Sequence, residues 1–97
     1  MNKFALSVKA KSDLIKRAKY TQITWGQAQR NSYLKILDRS FQLLADDPEI
    51  GINCDYIREG YRKYPQANDV IYYKAQKENT ILIVRILHKS VDVNRAL

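Results

Sequence analysis

The spacing of hydrophobic positions along this chain changes twice. Residues 3–8 (Lys-Phe-Ala-Leu-Ser-Val) alternate and predict a short strand. From about Ala10 to Trp25 the spacing becomes helical. Leu14, Ala18, Thr21 and Trp25 share one face, with Ile15 and Gln22 flanking it. Gly26 stands where a helix-ending glycine belongs. A second helix is predicted from about Gln27 to Ala45, with Tyr33, Leu34, Leu37, Phe41 and Leu44 as its apolar stripe. Asp46-Asp47-Pro48 ends it, because the residue before a proline avoids helical geometry. Two helices joined by so short a link form an antiparallel hairpin.

After Gly51 the period returns to two. Residues 56–64, 68–76 and 80–88 predict three strands, divided by Pro65-Gln66-Ala67 and Lys77-Glu78-Asn79. Such short connections imply an antiparallel meander. The predicted order is β-α-α-β-β-β over residues 1–97. This is a single α+β domain with the helix hairpin packed on one face of a mostly antiparallel sheet. Trp25, Leu34, Leu37, Phe41, Leu82 and Val84 are expected in its core.

Alternation assigns the faces of the strands. Arg58, Gly60, Arg62 and Tyr64 share one side of the first meander strand, and Ile57, Glu59, Tyr61 and Lys63 the other. In the last strand Ile81, Ile83, Arg85 and Leu87 oppose Leu82, Val84, Ile86 and His88. The helices cover one face only. The other is expected to be a basic, aromatic-edged surface suited to RNA phosphates or to an acidic peptide. The same cations would also serve as solvated positions that discourage edge aggregation. Arg85 interrupts an apolar strand, which is costly unless the cation is paired or reaches water. Arg85 and His88 are therefore expected where the strand meets a cleft.

Composition narrows the function classes. A hydrophobic fraction of 45% supplies one core and argues against disorder. The single Cys54 cannot form an internal disulfide, which fits a reducing cytosol, and it reads as a small buried hydrophobe. No apolar run is long enough for a membrane span. Phe4-Ala5-Leu6 after Lys3 is too short for a signal-peptide core, so a cytoplasmic location is expected. The net charge of +7 lies wholly in the first third. Residues 1–35 hold eight Lys or Arg and one acid, Asp13, whereas residues 36–97 hold nine of each sign. Such a field favours an acidic partner, and it also aids solubility. Asp13, Lys16, Tyr20 and Ile23 lie opposite the apolar stripe of the first helix. Tyr20 and Ile23 there are either a contact surface or isolated surface apolars.

Catalytic equipment is sparse. The chain has no Gly-rich phosphate loop, nucleophile elbow or paired cysteines. One histidine and one cysteine far apart in sequence do not suggest a metal site, and no cofactor is expected. His88 is the only histidine, the residue type best suited to proton transfer near neutral pH. It also serves readily as a structural hydrogen-bonding group.

Several segments resemble one family in order and spacing. They are Ala10-Lys11-Ser12-Asp13-Leu14 followed by Thr24-Trp25-Gly26, Ile57-Arg58-Glu59-Gly60-Tyr61-Arg62-Lys63-Tyr64-Pro65, Val70-Ile71-Tyr72-Tyr73, and Arg85-Ile86-Leu87-His88 followed by Asp92. Together they resemble a ParE toxin of the RelE/ParE superfamily, the toxic half of bacterial toxin–antitoxin pairs. The resemblance covers nearly the whole chain. On the ParE branch it implies inhibition of DNA gyrase, trapping the enzyme on cleaved DNA and blocking replication. On the RelE branch it implies ribosome-dependent mRNA cleavage. Many RelE-like nucleases carry a C-terminal Tyr or Phe, and the segment after His88 has neither, which is similar to the ParE pattern.

The ParE reading implies no catalytic residue and a target-binding set of Arg58, Arg62, Tyr64, Arg85, His88 and Lys89. The nuclease alternative would use His88, Arg85 and Arg62. Both branches imply a small antitoxin, here ParD-like, whose disordered acidic C-terminal half folds across the helix hairpin and sheet. Lys16, Tyr20, Ile23, Arg62 and Arg85 are the expected contacts. The basic charge fits that partner independently of the resemblance. Direct nucleic-acid binding by the chain alone is not expected.

Overall fold

A computed structural model describes residues 2–97. Strand β1 (Lys3–Leu6) leads into α1 (Val8–Trp25) and α2 (Gln27–Asp46). A single 3-10 turn (Pro48–Ile50) follows, and then β2 (Ile52–Asn53), β3 (Tyr61–Gln66), β4 (Asp69–Lys77), β5 (Thr80–His88) and a last short helix, α3 (Val93–Ala96). The five strands form one sheet in the order β1-β5-β4-β3-β2. The β1–β5 pairing is parallel and the other three are antiparallel. The α+β architecture expected from the sequence is the one observed.

Local chemistry explains the helix pair. Ser7 caps α1, its Oγ accepting from the Ala10 amide at 3.0 Å while donating to the Val84 carbonyl at 2.7 Å. The cap therefore also stitches the helix start to β5. Gly26 alone separates the helices. Its φ of +98° is closed to most side chains, and its amide donates to Gln22 O at 2.9 Å. The hairpin buries Ala10, Leu37, Phe41, Leu44 and Ala45 against Ile71, Tyr73, Ile81, Ile83 and Ile86.

Four expectations need correction. Trp25 is 71% exposed, because it borders an open cavity between the hairpin and the β3–β4 turn rather than packed core. Leu34, Leu82 and Val84 are only half-buried. Leu82 opposes Lys74, so it lies on the face away from the helices.

The second correction concerns the last strand. Tyr72 pairs with Arg85 but Tyr73 with Ile83, so Val84 is an extra residue, a β-bulge. The bulge inverts the alternation after Ile83. Ile81, Ile83 and Ile86 therefore face the helices, whereas Leu87 enters a second cluster.

The third is the first meander strand, which begins at Tyr61 rather than residue 56. Residues 54–60 form a turn instead. Cys54 O accepts from the Ile57 and Arg58 amides, and the Asp55 carboxylate accepts from the Gly60 amide at 2.7 Å. Gly60 adopts φ +82° to close it. Arg58 thus leaves the row shared with Arg62 and Tyr64. Pro65, expected in a turn, lies in β3 opposite Val70. Tyr61 O faces β2, where it accepts from the Cys54 amide. By alternation the Pro65 nitrogen points to the same side, where β2 has already ended, so no ladder bond is lost.

The fourth is the sheet face away from the hairpin, which is not bare. Cys54, Tyr72 and Leu87 are buried there under Ile57, Val93, Ala96 and Leu97.

Candidate functional site

Arg85, the anomalous cation of β5, is fully engaged inside the molecule. Its Nε donates to Asp13 Oδ2 at 2.8 Å and its Nη2 to Asp13 Oδ1 at 3.0 Å. The remaining nitrogen, Nη1, donates to the Ala96 carbonyl at 2.8 Å. Asp13 also accepts from the Ile86 amide at 3.1 Å. β1 ends opposite Ile83, so the β5 edge beyond it lacks a strand partner. Ser7 and Asp13 of the helix seal that edge. Asp13, expected on the outer face of α1, therefore points inward. The fork-shaped contact to Asp13 raises the Arg85 pKa, against a smaller opposing effect of burial.

A second ion pair lies where the half of the hairpin nearer Gly26 meets the β3–β4 turn. The Asp69 side chain is 3% exposed, and Arg17 Nη2 approaches its Oδ1 to 2.7 Å. That approach falls outside hydrogen-bond angles, so charge alone holds Oδ1, and Arg17 Nε is buried without an acceptor. Tyr33 donates its hydroxyl to Asp69 Oδ2 at 2.7 Å. Burial, and then the bond to Asp69, push the Tyr33 pKa up. Burial pulls the Arg17 guanidinium down, but Asp69 and Tyr33 more than offset it and the net shift is upward. Above this floor opens a cavity of about 440 Å³, walled by Tyr20, Thr21, Trp25, Ile36 and Leu37, with His88 at its edge.

The residues expected at a site are scattered around the fold. Arg58 Nη2 donates to the Leu97 carbonyl at 3.0 Å, and Arg62 Nη1 to the Gly51 carbonyl at 2.8 Å. Tyr64 packs half-buried against the main core, and Lys89 is exposed in the turn after β5. His88 Nδ1 accepts from the Ser90 amide at 3.1 Å and lies 2.7 Å from Ser90 Oγ. Lys16, Tyr20 and Ile23 are exposed on α1, as expected. The structure brings Tyr20 and His88 to the cavity, but not Arg62, Arg85 or Arg58.

Sequence reasoning missed Arg17, Tyr33 and Asp69. Their pairing depends on a helix–turn contact that spans 52 positions between Arg17 and Asp69. It could have found Asp13, the only acid among residues 1–35. Cys54 is buried and burial pushes its thiol pKa up, the opposite of what a nucleophile needs. Among the described residues no cluster of His, Cys, Asp or Glu could hold a metal ion, and no helix is long and apolar enough to cross a membrane.

Residues 4–93 match the family described as "ParE toxin of type II toxin-antitoxin system, parDE". The chain belongs to the ParE toxin family. It is 36% identical over 96 residues to Toxin ParE1 of Mycobacterium tuberculosis, covering 99% of this chain and 98% of that protein. Toxin ParE1 of Caulobacter vibrioides is 29% identical over 97 residues, covering 100% and 99%. A solved structure titled "Chromosomal ParDE TA system from P. aeruginosa" shares the fold. Its TM-score is 0.74 at 16% identity, over 91% of this chain and 95% of that one. This ParE-family toxin thus reaches the family fold with Asp13–Arg85 as the clamp between its first helix and last long strand.

Proposed function

We propose that this toxin of the type II toxin–antitoxin class acts in the cytoplasm by inhibiting DNA gyrase, without catalysis of its own, and is neutralised by a ParD-like antitoxin. The observation that carries the choice over mRNA cleavage is the dispersal of His88, Arg85 and Arg62. Arg85 is held by Asp13 and the Ala96 carbonyl, Arg62 by the Gly51 carbonyl, and His88 by Ser90. Register separates two of them further. His88 opposes Asp69 and Arg62 opposes Tyr73, four residues apart along β4, or roughly 13 Å at about 3.3 Å per residue. General acid–base chemistry needs its groups within hydrogen-bond reach of one reacting centre.

Antitoxin binding is supported by the outer face of α1. Val8 (85% exposed), Ile15 (68%) and Ile23 (76%) form one stripe at helical spacing. Lys9, Lys11, Lys16 and Lys19 are exposed around it, and the one acid of the helix, Asp13, is turned inward to Arg85. An acidic amphipathic segment complements that face in charge and apolar spacing. The neighbouring cavity offers a seat for one large apolar anchor.

The test is run in parallel on one preparation. Purified protein is expected to make gyrase accumulate cleaved plasmid in the presence of ATP, and to leave mRNA intact in a translating ribosome extract. Codon-specific mRNA cleavage with normal supercoiling would move the protein to the nuclease class. In cells, His88→Gln is expected to keep most toxicity, since the amide oxygen can accept from the Ser90 amide. A folded His88→Gln protein that binds gyrase normally yet is inert would overturn the non-catalytic reading.

A further inference from the structure

The sheet face away from the hairpin carries a feature that gyrase inhibition and antitoxin binding leave unused. β3 and β4 are paired so that Tyr61 opposes Lys74 and Lys63 opposes Tyr72. Aromatic rings and cations therefore alternate in a checkerboard on one face. Lys74 Nζ lies 5.7 Å from the Tyr61 ring centre. Lys63 Nζ lies 6.0 Å from the Tyr56 ring and donates to its hydroxyl at 3.3 Å. Tyr56 is 74% exposed.

Neither lysine is neutralised. Among the described residues the only ion pairs are Arg17–Asp69 and Arg85–Asp13. The nearby Asp55 carboxylate is spent on the Gly60 amide and the Asn53 side chain. Beneath lies the second cluster of Cys54, Tyr72 and Leu87, which gives the platform a packed base.

Against the expectation drawn from the sequence for the chain alone, we propose that this face binds single-stranded nucleic acid. Lys63 and Lys74 are diagonal neighbours, with side chains starting about 7–8 Å apart, and would hold successive backbone phosphates. Each ammonium would swing from ring to phosphate and leave the ring free for a base. Tyr56 is the stacking surface, and stacking on it is tolerant of base identity because every base has a π-face. An acidic peptide fits less well. It would satisfy the lysines but has no use for the exposed Tyr56 ring, whereas the aliphatic, helix-spaced stripe of α1 lies on the other side of the molecule.

The proposal is independent of gyrase inhibition and is tested on the purified chain alone. Fluorescence anisotropy with a short labelled oligothymidylate, and with a mixed-sequence strand, is expected to show similar binding that weakens as salt rises. Lys63→Glu with Lys74→Glu is expected to weaken binding by more than about tenfold. Tyr56→Ala is expected to weaken it about tenfold, and Tyr56→Phe to preserve it. Lys3→Glu with Lys35→Glu makes the same charge change elsewhere on the surface and is expected to have a much smaller effect.

Equal losses in the two double variants would assign the binding to net charge and overturn the proposal. Binding that is absent or insensitive to salt would overturn it as well. So would polyglutamate displacing the oligonucleotide with no dependence on the Tyr56 ring, which would make the face a peptide site. Melting curves accompany every variant, and Tyr56→Phe against Tyr56→Ala keeps the ring requirement testable if a double variant is unstable.

Discussion

Asp13 and Arg85 are the two residues whose positions in the sequence look wrong and whose partnership in the fold makes them right. One is an acid in a basic helix and the other a cation in an apolar strand. With side chains 12% and 18% exposed, each needs the other. Asp13→Ala would strand the guanidinium, and a broken buried pair costs about 3–5 kcal/mol. Partial exposure here reduces that to an expected loss of about 2–3 kcal/mol. Arg85→Lys is expected to lose part of the same stability, because an ammonium cannot make the forked contact. Thermal melts check both. Loss of toxicity in either variant therefore speaks of mechanism only where the melt is unchanged.

Tyr33 makes a pH prediction of the opposite kind. Its folded pKa is raised above the ordinary value of 10.0 by burial and by Asp69. Above that pH the folded state binds more protons than the unfolded chain, so stability falls as pH rises. Its contribution is complete below about pH 10 and is lost above it. Denaturant midpoints should decline through that alkaline window, and less steeply in Tyr33→Phe. An identical decline in the variant would remove Tyr33 from the account.

At the level of elements, two glycines separate conformational cost from space. Gly26 joins the helices at φ +98°, and an added Cβ would meet nothing within 4 Å. With ψ at 171°, this is an extended positive-φ conformation nearly closed to side chains, so Gly26→Ala should cost only that conformational penalty, about 1–3 kcal/mol. Gly51 has an ordinary φ of −67°, but a Cβ there would collide with the Tyr73 hydroxyl. That hydroxyl accepts from the Gly51 amide at 2.8 Å and donates to the Pro48 carbonyl at 2.6 Å. Gly51→Ala should be the more damaging substitution, and Gly51→Ala combined with Tyr73→Phe should recover little, since the ring itself occupies the space. Equilibrium unfolding of the three variants orders them.

For the whole molecule, charge is distributed so that encounter and docking are separable. The lysines of α1 surround the Val8–Ile15–Ile23 stripe. Long-range attraction sets the approach of an acidic segment, and buried apolar area holds it once docked. Raising salt to physiological levels should slow antitoxin association more than it speeds dissociation. Ile15→Asp should do the reverse, accelerating dissociation. Stopped-flow kinetics with the antitoxin distinguish the two, and an affinity indifferent to both changes would remove α1 from the interface.

Local sequence was enough for everything decided over a few residues. Helical spacing, a lone glycine and a proline placed the hairpin within two residues of its observed ends, because helix geometry and its stop signals are local. The three long strands and their order were legible for the same reason. Tertiary contacts decided the rest. The bulge at Val84, which moves Arg85 and Leu87 off the main core face, depends on how β5 pairs with β4. The turn at 54–60 is the one local exception: Asp55 reaches Gly60 only five residues on, a signal hidden by the strand-like alternation of residues 56–64. The Arg17–Tyr33–Asp69 floor and the Asp13–Arg85 clamp join residues 36 to 72 positions apart. A periodicity records which face a side chain takes. It does not record which charged group waits on the facing element, and burial makes that pairing obligatory only once the elements have packed.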